Sequence, residues 1–473
     1  MKLKDLLKNV ADFFTEKEIE ITGIAVDSKK VKVGYLYIAL AGRVYDGYDF
    51  IEEAISNGAV AVIAEKKYNN DTIIVKNTRK AYAQISANFY GNPEKQLKLV
   101  AVVGTNGKTT TTHILQHILN FSGIKCATIG TLGFRIGDTV KDCLLTTPDP
   151  NVLSACLAEC KAQGIQVVIM EVSAHAIFFE KVSALKFDIG LFTNLSQDHL
   201  DFFEDLQNYI NVKKSFFVSQ NVSFSIINAD DNLGQQILQA TKVLKASYGI
   251  SSPADVFAMD IEQDVAGSRF TLNAFDMVSD VYLPLPGIYN IYNTLASVAT
   301  AIALKVPMDL IKHALCSLTP PDGRFNVINT DKMVIIDYAH TPDGLENLLK
   351  AVVMLKKKNL ITVFGCGGNR DRAKRPIMGA ISQKYSDLVI LTSDNPRLEE
   401  PADIIADIAV GMQEGYISEP DRAEAIKMAL TLAKENDIVV IAGKGAECYL
   451  DIKGEKIPYS DMEEVKKHMG EYK

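Results

Sequence analysis

A short glycine-containing segment has the residue types of a loop that holds phosphate groups. The segment, GTNGKTT at 104–110, follows the apolar run 98–104 and precedes a pattern that predicts a helix from about 108 to 122. Backbone N–H groups and the positive end of a helix attract anions, and glycine lets the backbone approach them closely. Lys108 would then contact the outer phosphates, and the Thr109 hydroxyl would hold Mg²⁺. The motif predicts a nucleotide site but no particular reaction.

A carboxylate and an imidazole follow two further strand candidates. Glu171 comes directly after the run 166–170, and His199 comes shortly after the run 189–195. In a doubly wound sheet, ligands bind in the crevice at the carboxyl ends of the strands. Near a phosphate loop, these two groups suit Mg²⁺ bound together with phosphates. Taken as isolated residues, they fit a surface ion pair better than a metal site, so the residue types alone do not establish the metal site.

The elements that must position these side chains alternate in type along the chain. Continuous apolar runs separated by helical patterns predict βαβ units and a doubly wound, mostly parallel sheet around the phosphate loop. A second alternating region begins near Met333 and predicts a Rossmann-like α/β domain, while the N-terminal part predicts a smaller α/β domain. The predicted strands are 60–64, 72–75, 98–104, 166–170, 189–195, 224–229, 333–337, 360–365, 387–393 and 437–443.

The length of the chain and one turn signal predict how these elements divide into domains. A chain of 473 residues with 47% hydrophobic content is long enough for several cores. The segment 317–325 contains Pro-Pro-Asp-Gly, which predicts a turn and, between two alternating regions, a hinge. We therefore predict three α/β domains with the ranges 1–95, 96–322 and 323–473.

Composition and charge exclude several classes of protein. The formal net charge is −8 and the pI is about 5.5, whereas proteins that bind nucleic acid through bulk charge are usually basic. Seven cysteines without a CxxC pair favour reduced thiols. The N-terminal residues lack the apolar core of a signal peptide, and no apolar run approaches the roughly 18 residues of a membrane span. These features predict a cytoplasmic protein with no nucleic-acid partner and no membrane span.

Two residue pairs have the spacing of metal ligands on a helix. His113 and His117 are four residues apart, as in zinc helices, but the glutamate of the zinc motif is absent. Cys156 and Cys160 share the same spacing. Helix packing is the simpler interpretation of both pairs, and we predict no zinc site.

Several separated motifs, in order along nearly the whole chain, resemble the Mur ligase family. Its enzymes build the peptide of bacterial cell-wall precursors. The resemblance therefore implies an ATP-dependent ligase that phosphorylates a carboxylate and joins the resulting acyl phosphate to an amine. The motifs are DSKKVKVGYLYIALAG at 27–42, GTNGKTTT at 104–111, TTPDP at 146–150, EVSAH at 171–175, FTNLSQDHLD at 192–201, LPGIYNIYNTLAS at 285–297, GRF at 323–325, DYAHTP at 337–342 and DNPRLEEP at 394–401.

The resemblance also implies ATP and Mg²⁺ as cofactors and a set of residues that handle them. Lys213 matches a lysine that is carbamylated in these ligases, a change that turns a repulsive cation into an anionic metal ligand. The implied catalytic residues are Lys108, Glu171, His199 and Lys213, and the implied metal ligands are Thr109, Glu171, His199 and Lys213. The implied ATP-binding residues are Gly104, Thr105, Asn106, Gly107, Lys108, Thr109, Thr110, Asn293, Arg324, Asp337 and His340.

The substrates implied by the resemblance are UDP-N-acetylmuramoyl-L-Ala-D-Glu and meso-2,6-diaminopimelate. The three domains would then bind the UDP-sugar, ATP and the amino acid, in that order along the chain. The implied residues for the nucleotide-sugar substrate are Ser28, Thr146, Thr147, Ser173 and Lys181. The implied residues for the amino acid are Arg370, Asp394, Asn395, Arg397, Gly443 and Glu447.

Arg397 is the residue that favours diaminopimelate over L-lysine. The far end of diaminopimelate carries a carboxylate, which a guanidinium holds through two parallel hydrogen bonds. L-Lysine lacks this group and would leave the guanidinium unpaired. The alternative for Arg397 is an inter-domain ion pair with Glu399 or Glu400, which we favour less.

A few positions depart from the family pattern and keep alternatives open. They concern the substrate-facing shell more than the chemistry, so the chain could add L-lysine or another amine, or could be a diverged nucleotide-binding protein without this activity. By resemblance the protein would act as a monomer. The departing residues are Tyr48, Ala174, Lys181, Gln197 and Ala446.

Overall fold

The computed structural model describes residues 1–11, 18–42, 45–69, 72–143, 145–264 and 266–469. Their strands form three large sheets and one hairpin. The residues between these ranges, and residues 470–473, lie outside the described part. The three large sheets span 23–74, 98–283 and 326–442, and the domain boundaries at 95/96 and 322/323 stay predictions.

The first sheet has four parallel strands in the order β1-β2-β3-β4. Its core is formed by apolar side chains of the strands and of the helix that follows them. The strands are β1 (Gly23–Ala25), β2 (Tyr35–Ile38), β3 (Ala59–Ala64) and β4 (Thr72–Ile74), and the helices are α1 (Leu3–Leu6), α2 (Ile51–Ser56) and α3 (Thr78–Phe89).

The central sheet has eleven strands in the order β15-β14-β13-β12-β11-β10-β5-β9-β6-β7-β8. Strands β13, β12, β11, β10, β5, β9 and β6 pair in parallel, and antiparallel strands extend both edges. The strands are β5 (Lys98–Val103), β6 (Cys126–Gly130), β7 (Gly133–Ile136), β8 (Thr139–Lys141), β9 (Val167–Glu171), β10 (Phe187–Phe192), β11 (Val222–Asn228), β12 (Leu244–Gly249), β13 (Val256–Asp264), β14 (Gly267–Ala274) and β15 (Met277–Leu283). The helices are α4 (Lys108–Phe121), α5 (Pro150–Ala162), α6 (Ala174–Phe178), α7 (Leu200–Phe203), α8 (Leu206–Val218), α9 (Asn232–Ala240), α10 (Ile288–Ala303) and α11 (Met308–Cys316).

The middle of this sheet is covered by helices on both faces, which explains the apolar runs in the sequence. Val100 and Val102 of β5 pack in a core with α4 and α10. Ala101 and Val103 point to the opposite face and pack in a second core with α5. A strand that is buried on both faces needs apolar residues at every position rather than at alternate ones.

The third sheet repeats this arrangement with six strands in the order β16-β17-β21-β18-β19-β20. Only the pair β16 and β17 is antiparallel among its described ladders. The strands are β16 (Asn326–Asn329), β17 (Met333–Asp337), β18 (Leu360–Phe364), β19 (Leu388–Leu391), β20 (Tyr416–Ser418) and β21 (Ile438–Ala442), and a hairpin follows with β22 (Tyr449–Ile452) and β23 (Glu455–Pro458). The helices are α12 (Pro342–Leu355), α13 (Lys374–Tyr385), α14 (Pro401–Ala409), α15 (Arg422–Leu432) and α16 (Asp461–Met469).

All ten predicted strands are confirmed, as are the helix after the phosphate loop and the α/β class. Two predicted strands, 189–195 and 387–393, run two or more residues beyond the observed ends at Phe192 and Leu391, because the polar residues there leave the sheet. Thr193, for example, donates a hydrogen bond to the Asn106 carbonyl at 2.7 Å instead of extending β10. In the part of the chain that the structure describes, no helix is long and apolar enough to cross a bilayer.

Candidate active site

A cavity of about 530 Å³ lies between the carboxyl ends of the central strands and the loops of the third sheet. All eleven predicted ATP-binding residues line it, as do Glu171 and His199. The predicted substrate residues that line it are Thr146, Ser173, Arg370, Asp394, Asn395, Arg397, Gly443 and Glu447. Four predicted site residues are not among its lining residues, namely Ser28, Thr147, Lys181 and Lys213.

The phosphate loop joins β5 to α4 and requires its two glycines. A Cβ atom on Gly104 would lie 1.8 Å from Oγ1 of Thr193. Gly107 has a φ of +82°, and a Cβ there would lie 2.3 Å from Oδ1 of Asn293. The loop therefore brings bare backbone to the start of α4, where N–H groups without helical partners face the cavity.

Lys108 is folded back over the loop that precedes it. Its Nζ donates hydrogen bonds to the carbonyl oxygens of Gly104 at 3.0 Å and of Thr105 at 2.8 Å. Burial lowers the pKa of Lys108, while the nearby carboxylates of Glu171 and Asp198 oppose this shift. The ammonium thus lies where it can turn toward the phosphates of a nucleotide.

Glu171, the last residue of β9, is a buried carboxylate surrounded by neutral donors. It accepts hydrogen bonds from the hydroxyl of Thr109 at 3.0 Å and from the backbone and hydroxyl of Thr131 at 3.1 and 3.0 Å. Among the described residues no cationic side chain forms an ion pair with it. A buried carboxylate without an ion pair, beside a hydroxyl oxygen, fits the oxygen ligands that Mg²⁺ prefers.

Arg324 reaches the same group from the segment that connects the second and third sheets. Its Nη2 donates to Oγ1 of Thr109 at 3.2 Å. The guanidinium carbon lies 4.2 Å from the ring centroid of Tyr338, which supports the planar group from one side. Arg324 thus adds a cation to the phosphate loop from outside the central sheet.

His199 stands at the start of α7 in a left-handed conformation, with a φ of +57°. Its Nε2 lies 3.3 Å from Oδ2 of Asp198, and its ring packs edge-on against His175 at a centroid distance of 4.8 Å. Burial lowers the pKa of His199, which favours the neutral imidazole that metal ions bind. Lys374 of the third sheet's region approaches the other side of Asp198, with 3.8 Å between Nζ and Oδ1.

Lys213 of α8 is fully buried behind the phosphate loop. Its Nζ donates to Oγ1 of Thr105 at 3.3 Å and lies 4.5 Å from the ring centroid of Tyr209. Burial lowers the pKa of Lys213 well below its ordinary value, and the charge of Lys108 acts in the same direction. A neutral amine is the form that reacts with CO₂ to give a carbamate, so the environment suits the predicted modification.

The predicted metal ligands therefore do not form one cluster. Thr109 and Glu171 are in contact, His199 pairs with Asp198, and Lys213 lies behind Thr105. Within the described ranges, no three His, Cys, Asp or Glu side chains form a ready-made metal site.

Arg397 is not engaged by the two glutamates considered from the sequence, so that alternative is wrong. Glu399 pairs with Arg375 and Glu400 with Lys453. Nη1 of Arg397 instead donates to the Gly368 carbonyl at 2.7 Å. Its Nε lies 3.8 Å from Oδ2 of Asp451, an ion pair that the sequence did not indicate.

A buried lysine that the sequence analysis missed organises the loop before Arg397. Nζ of Lys444 donates to Oδ1 of Asn395 at 3.0 Å and to Oε2 of Glu447 at 2.9 Å. The amide of Asn395 in turn donates to Oε2 of Glu447 at 2.9 Å. Glu447 lines the cavity, and its Oε1 has no hydrogen bond among the described residues, so this oxygen is available to an ammonium group.

The predicted residues outside the cavity have other partners. Ser28 donates to Oε2 of Glu53 at 2.6 Å in the first sheet's region. Thr147 donates to the Glu171 carbonyl at 2.9 Å. Lys181 pairs with Asp149 at 2.7 Å.

Two further expectations concern Asp337 and the histidine pair on α4. Asp337 lines the cavity, but its oxygens accept hydrogen bonds from the backbone of Phe325 at 2.8 Å and Ala339 at 2.7 Å, so it shapes the wall. His113 bonds to the Thr319 carbonyl at 2.8 Å, and His117 bonds to the Ala314 carbonyl at 2.9 Å. The packing interpretation of these histidines is confirmed.

The two sides of the cavity are suited to two different ligands. The central sheet supplies a phosphate loop for a nucleotide, while the third sheet supplies charged side chains suited to an amino acid. An enzyme that holds both ligands in one cavity couples nucleotide cleavage to bond formation, which defines the class of ATP-dependent ligases.

Family models match most of the chain and give this class a family. Residues 20–94 match the model described as Mur ligase family, catalytic domain. Residues 102–301 match the Mur ligase middle domain, and residues 323–445 match the Mur ligase glutamate ligase domain. The chain belongs to the Mur ligase family and is an ATP-dependent, Mg²⁺-using ligase.

Curated relatives and solved structures agree with this assignment. A protein from Syntrophomonas wolfei named UDP-N-acetylmuramoyl-L-alanyl-D-glutamate–2,6-diaminopimelate ligase is 42% identical over 98% of this chain and 97% of its own length. A protein of the same name from Aquifex aeolicus is 43% identical over 95% and 94%. A solved structure of a ligase of that name has a TM-score of 0.71, with 29% identity over 99% and 98% of the two chains. The MurF ligase from Thermotoga maritima, solved with ADP, shares the fold with a TM-score of 0.64 and 20% identity over 90% and 95%.

Proposed function

We propose that this ligase adds meso-2,6-diaminopimelate to the D-glutamate of UDP-N-acetylmuramoyl-L-Ala-D-Glu during peptidoglycan precursor synthesis. The observation that carries the proposal is the position of Arg397 in the cavity wall. The two acidic residues nearest to it in the sequence, Glu399 and Glu400, bind other partners. Arg370 borders the same cavity without an ion pair to any described residue. The relatives described above are named for this reaction.

The reaction needs little covalent chemistry from the protein. The substrate carboxylate attacks the γ-phosphorus of ATP, the bond to the β-phosphate oxygen breaks, and ADP leaves. The amine then attacks the acyl phosphate, phosphate leaves, and the amine loses a proton. Lys108 and Arg324 lie where they neutralise charge on the transferring phosphoryl oxygens.

Mg²⁺, when bound, supplies additional positive charge at the phosphates. Thr109 and Glu171 would hold it beside the phosphate loop, and we propose His199 and carbamylated Lys213 as further ligands. Exclusion of water when both substrates fill the cavity would protect an acyl phosphate from hydrolysis.

The amino-acid pocket has charges of both signs, as a zwitterionic centre requires. Arg397 and Arg370 would bind the distal carboxylate of diaminopimelate. The free Oε1 of Glu447 and the carboxylate of Asp394 would bind the adjacent ammonium. We propose that Gly443, in the loop after β21, lets the substrate approach the backbone.

The nucleotide-sugar substrate would extend from the cavity toward the first sheet. Thr146 and Ser173 line the cavity, whereas Lys181 and Ser28 lie farther along this direction in our proposal. The ranges 1–95, 96–322 and 323–473 would then bind the UDP-sugar, ATP and the amino acid. The seven free cysteines of the chain agree with a protein that acts in the cytoplasm, and we propose that it acts as a monomer.

The proposed function is tested by phosphate release from purified protein with ATP, Mg²⁺ and UDP-N-acetylmuramoyl-L-Ala-D-Glu. Parallel reactions contain meso-diaminopimelate, L-lysine or no amine. Release that requires diaminopimelate supports the proposal. A preference for L-lysine would contradict the role of Arg397 while keeping the ligase, and release with neither amine would contradict both amine assignments.

Replacing Arg397 by alanine is expected to raise KM for diaminopimelate by about 10²-fold, because a two-bond guanidinium–carboxylate contact is lost. Activity with L-lysine should change little, since L-lysine has no distal carboxylate. Initial rates over a range of amine concentrations measure both effects. Leu398→Ala is the matched control, because this neighbouring side chain is 71% exposed. Equal losses with both amines would contradict the prediction.

A further inference from the structure

We infer that Arg375 is a positioning residue for the amino-acid pocket, because its ion pair with Glu399 holds the loop that presents Arg397. The inference rests on the proposed function and extends it to a residue that contacts neither substrate. Strands β18 and β19 are adjacent and parallel, so the loops that follow them lie side by side. Arg370 is in the first of these loops and Arg397 is in the second.

Arg375 is completely buried in the first turn of α13. Its Nη1 and Nη2 donate to the two carboxylate oxygens of Glu399, each at 2.9 Å, in the parallel geometry that makes such pairs strong. Nη1 also donates to Asp407 at 2.8 Å, and Nη2 donates to the Gly367 carbonyl at 3.3 Å. Arg375 lowers the pKa of Glu399 to about 2, so the pair is charged at every physiological pH.

Glu399 joins the two loops at the point where they face the cavity. Its carboxylate accepts a hydrogen bond from the backbone of Asn369. The Asn369 side chain accepts one from the backbone of Leu398 at 3.0 Å. The backbone of Gly368 donates to the Asn395 carbonyl at 2.9 Å. The loop that carries Arg397 is therefore held by its neighbour, and Arg375 anchors this connection in the core.

The backbone at Arg397 needs such support. Arg397 has a φ of +52° and Asn369 has a φ of +51°, a conformation that a residue with a side chain adopts only when its surroundings impose it. The hairpin holds Arg397 on one side, through hydrogen bonds from its N–H to the Asp451 carbonyl at 2.9 Å and from the Lys453 N–H to its carbonyl at 2.7 Å. Release from Glu399 would loosen the loop on the other side. The guanidinium of Arg397 would then move away from the position in which it meets a distal carboxylate.

The ion pair between Arg375 and Glu399 also keeps Glu399 from pairing with Arg397. Glu399 is two residues from Arg397 and is itself an acidic partner that a free arginine would attract. Because Arg375 occupies both oxygens of Glu399, the only described carboxylate that pairs with Arg397 is Asp451, at 3.8 Å. Loss of Arg375 would thus weaken the pocket through both loop position and charge.

The experiment compares Arg375→Met with wild type in the phosphate-release assay. We expect KM for meso-diaminopimelate to rise about tenfold while KM for ATP stays within about twofold, since only one loop is displaced. The ratio of kcat/KM for diaminopimelate to that for L-lysine should fall about tenfold. Glu399→Gln is the second variant. It preserves the shape of a partly exposed side chain, so the protein should fold normally. Because it removes the charge that pairs with Arg375, it should change both quantities in the same direction.

The matched control is Arg372→Met. Arg372 also pairs with Asp407, at 2.8 Å, but it is 65% exposed and is not hydrogen-bonded to Glu399. This variant should keep the wild-type ratio. Thermal midpoints of all variants separate folding defects from a displaced loop.

Each outcome decides between positioning and a purely structural role. A parallel fall in activity with both amines, with an unchanged ratio in Arg375→Met and Glu399→Gln, overturns the inference. If wild type itself accepts a different amine, the proposed function fails, and KM for that amine in the same variants still tests the positioning role. A selective rise in this KM, absent in Arg372→Met, supports it.

Discussion

Replacing Lys108 by methionine is expected to lower kcat by about 10³-fold, the range for removal of one preorganised charge from a transition state. The ammonium lies within the phosphate loop, where its hydrogen bonds to the Gly104 and Thr105 carbonyls hold it beside the proposed phosphate site. Methionine retains the length and apolar stem of lysine but carries no charge. The measurement is the single-turnover rate of acyl phosphate formation, together with the affinity for ATP.

The matched control is Lys98→Met, at the opposite end of the same strand. Lys98 is exposed and far from the carboxyl end of β5, so this variant should keep wild-type kcat. Binding of ATP to Lys108→Met should weaken much less than kcat falls, because the charge matters most when phosphoryl transfer is under way. Retention of more than about a tenth of wild-type kcat would contradict the assigned role.

Replacing Lys213 by methionine is expected to lower activity by about 10²-fold or more and, at the same time, to stabilise the protein. Activity falls because the proposed carbamate ligand cannot form. The free energy of unfolding should rise by about 1–3 kcal/mol, since an amine with a single 3.3 Å hydrogen bond is replaced by an apolar side chain in a fully buried position.

The stability change should depend on pH in a defined direction. The folded protein lowers the pKa of Lys213 below the ordinary 10.5, so unfolding takes up a proton. The buried amine therefore lowers the free energy of unfolding of wild type. This loss is absent above pH 10.5 and grows as the pH falls, until the pKa of Lys213 in the folded protein is reached. The advantage of Lys213→Met should therefore shrink between about pH 7 and about pH 9.5 in urea titrations of metal-free, CO₂-depleted protein.

Lys214→Met provides the comparison for this prediction. Lys214 is the next residue on α8 but is only half-buried and bonds weakly to Gln236 at 3.5 Å. It should change neither activity nor the pH dependence of stability. An unchanged or lower stability of Lys213→Met at neutral pH would show that the buried amine has a compensating partner in the native protein.

Local features of the fold were predictable because neighbouring residues determine them. The strand that ends at Val103, the glycine turn and the helix from Lys108 follow one another directly, so the sequence indicates both the elements and their function. The antiparallel strands β14 and β15 at the edge of the central sheet were not predicted, because they are partly exposed and lack the continuous apolar runs that identify the parallel strands.

The site shows the same division between local and distant determinants. Lys444 and Lys374 are charged residues of ordinary appearance in the sequence, and their importance comes from partners 49 residues away in one case and 34 in the other. The ion-pair alternative for Arg397 failed for the opposite reason. Glu399 and Glu400 are close in sequence, yet the left-handed backbone at Arg397 and the more distant Arg375 direct Glu399 elsewhere.

The hydrogen bond from Arg324 to Thr109 crosses from the third sheet's segment to the phosphate loop, and it has a thermodynamic consequence. The same relative placement of the two regions serves both the nucleotide and the amino acid. A ligand that stabilises this placement therefore improves the binding of the other ligand, and by thermodynamic linkage the two affinities change by the same factor. Saturation with a non-hydrolysable nucleotide should thus tighten amine binding, and saturation with the amine should tighten nucleotide binding by the same factor. Each substrate would then be bound most tightly when the other is also bound.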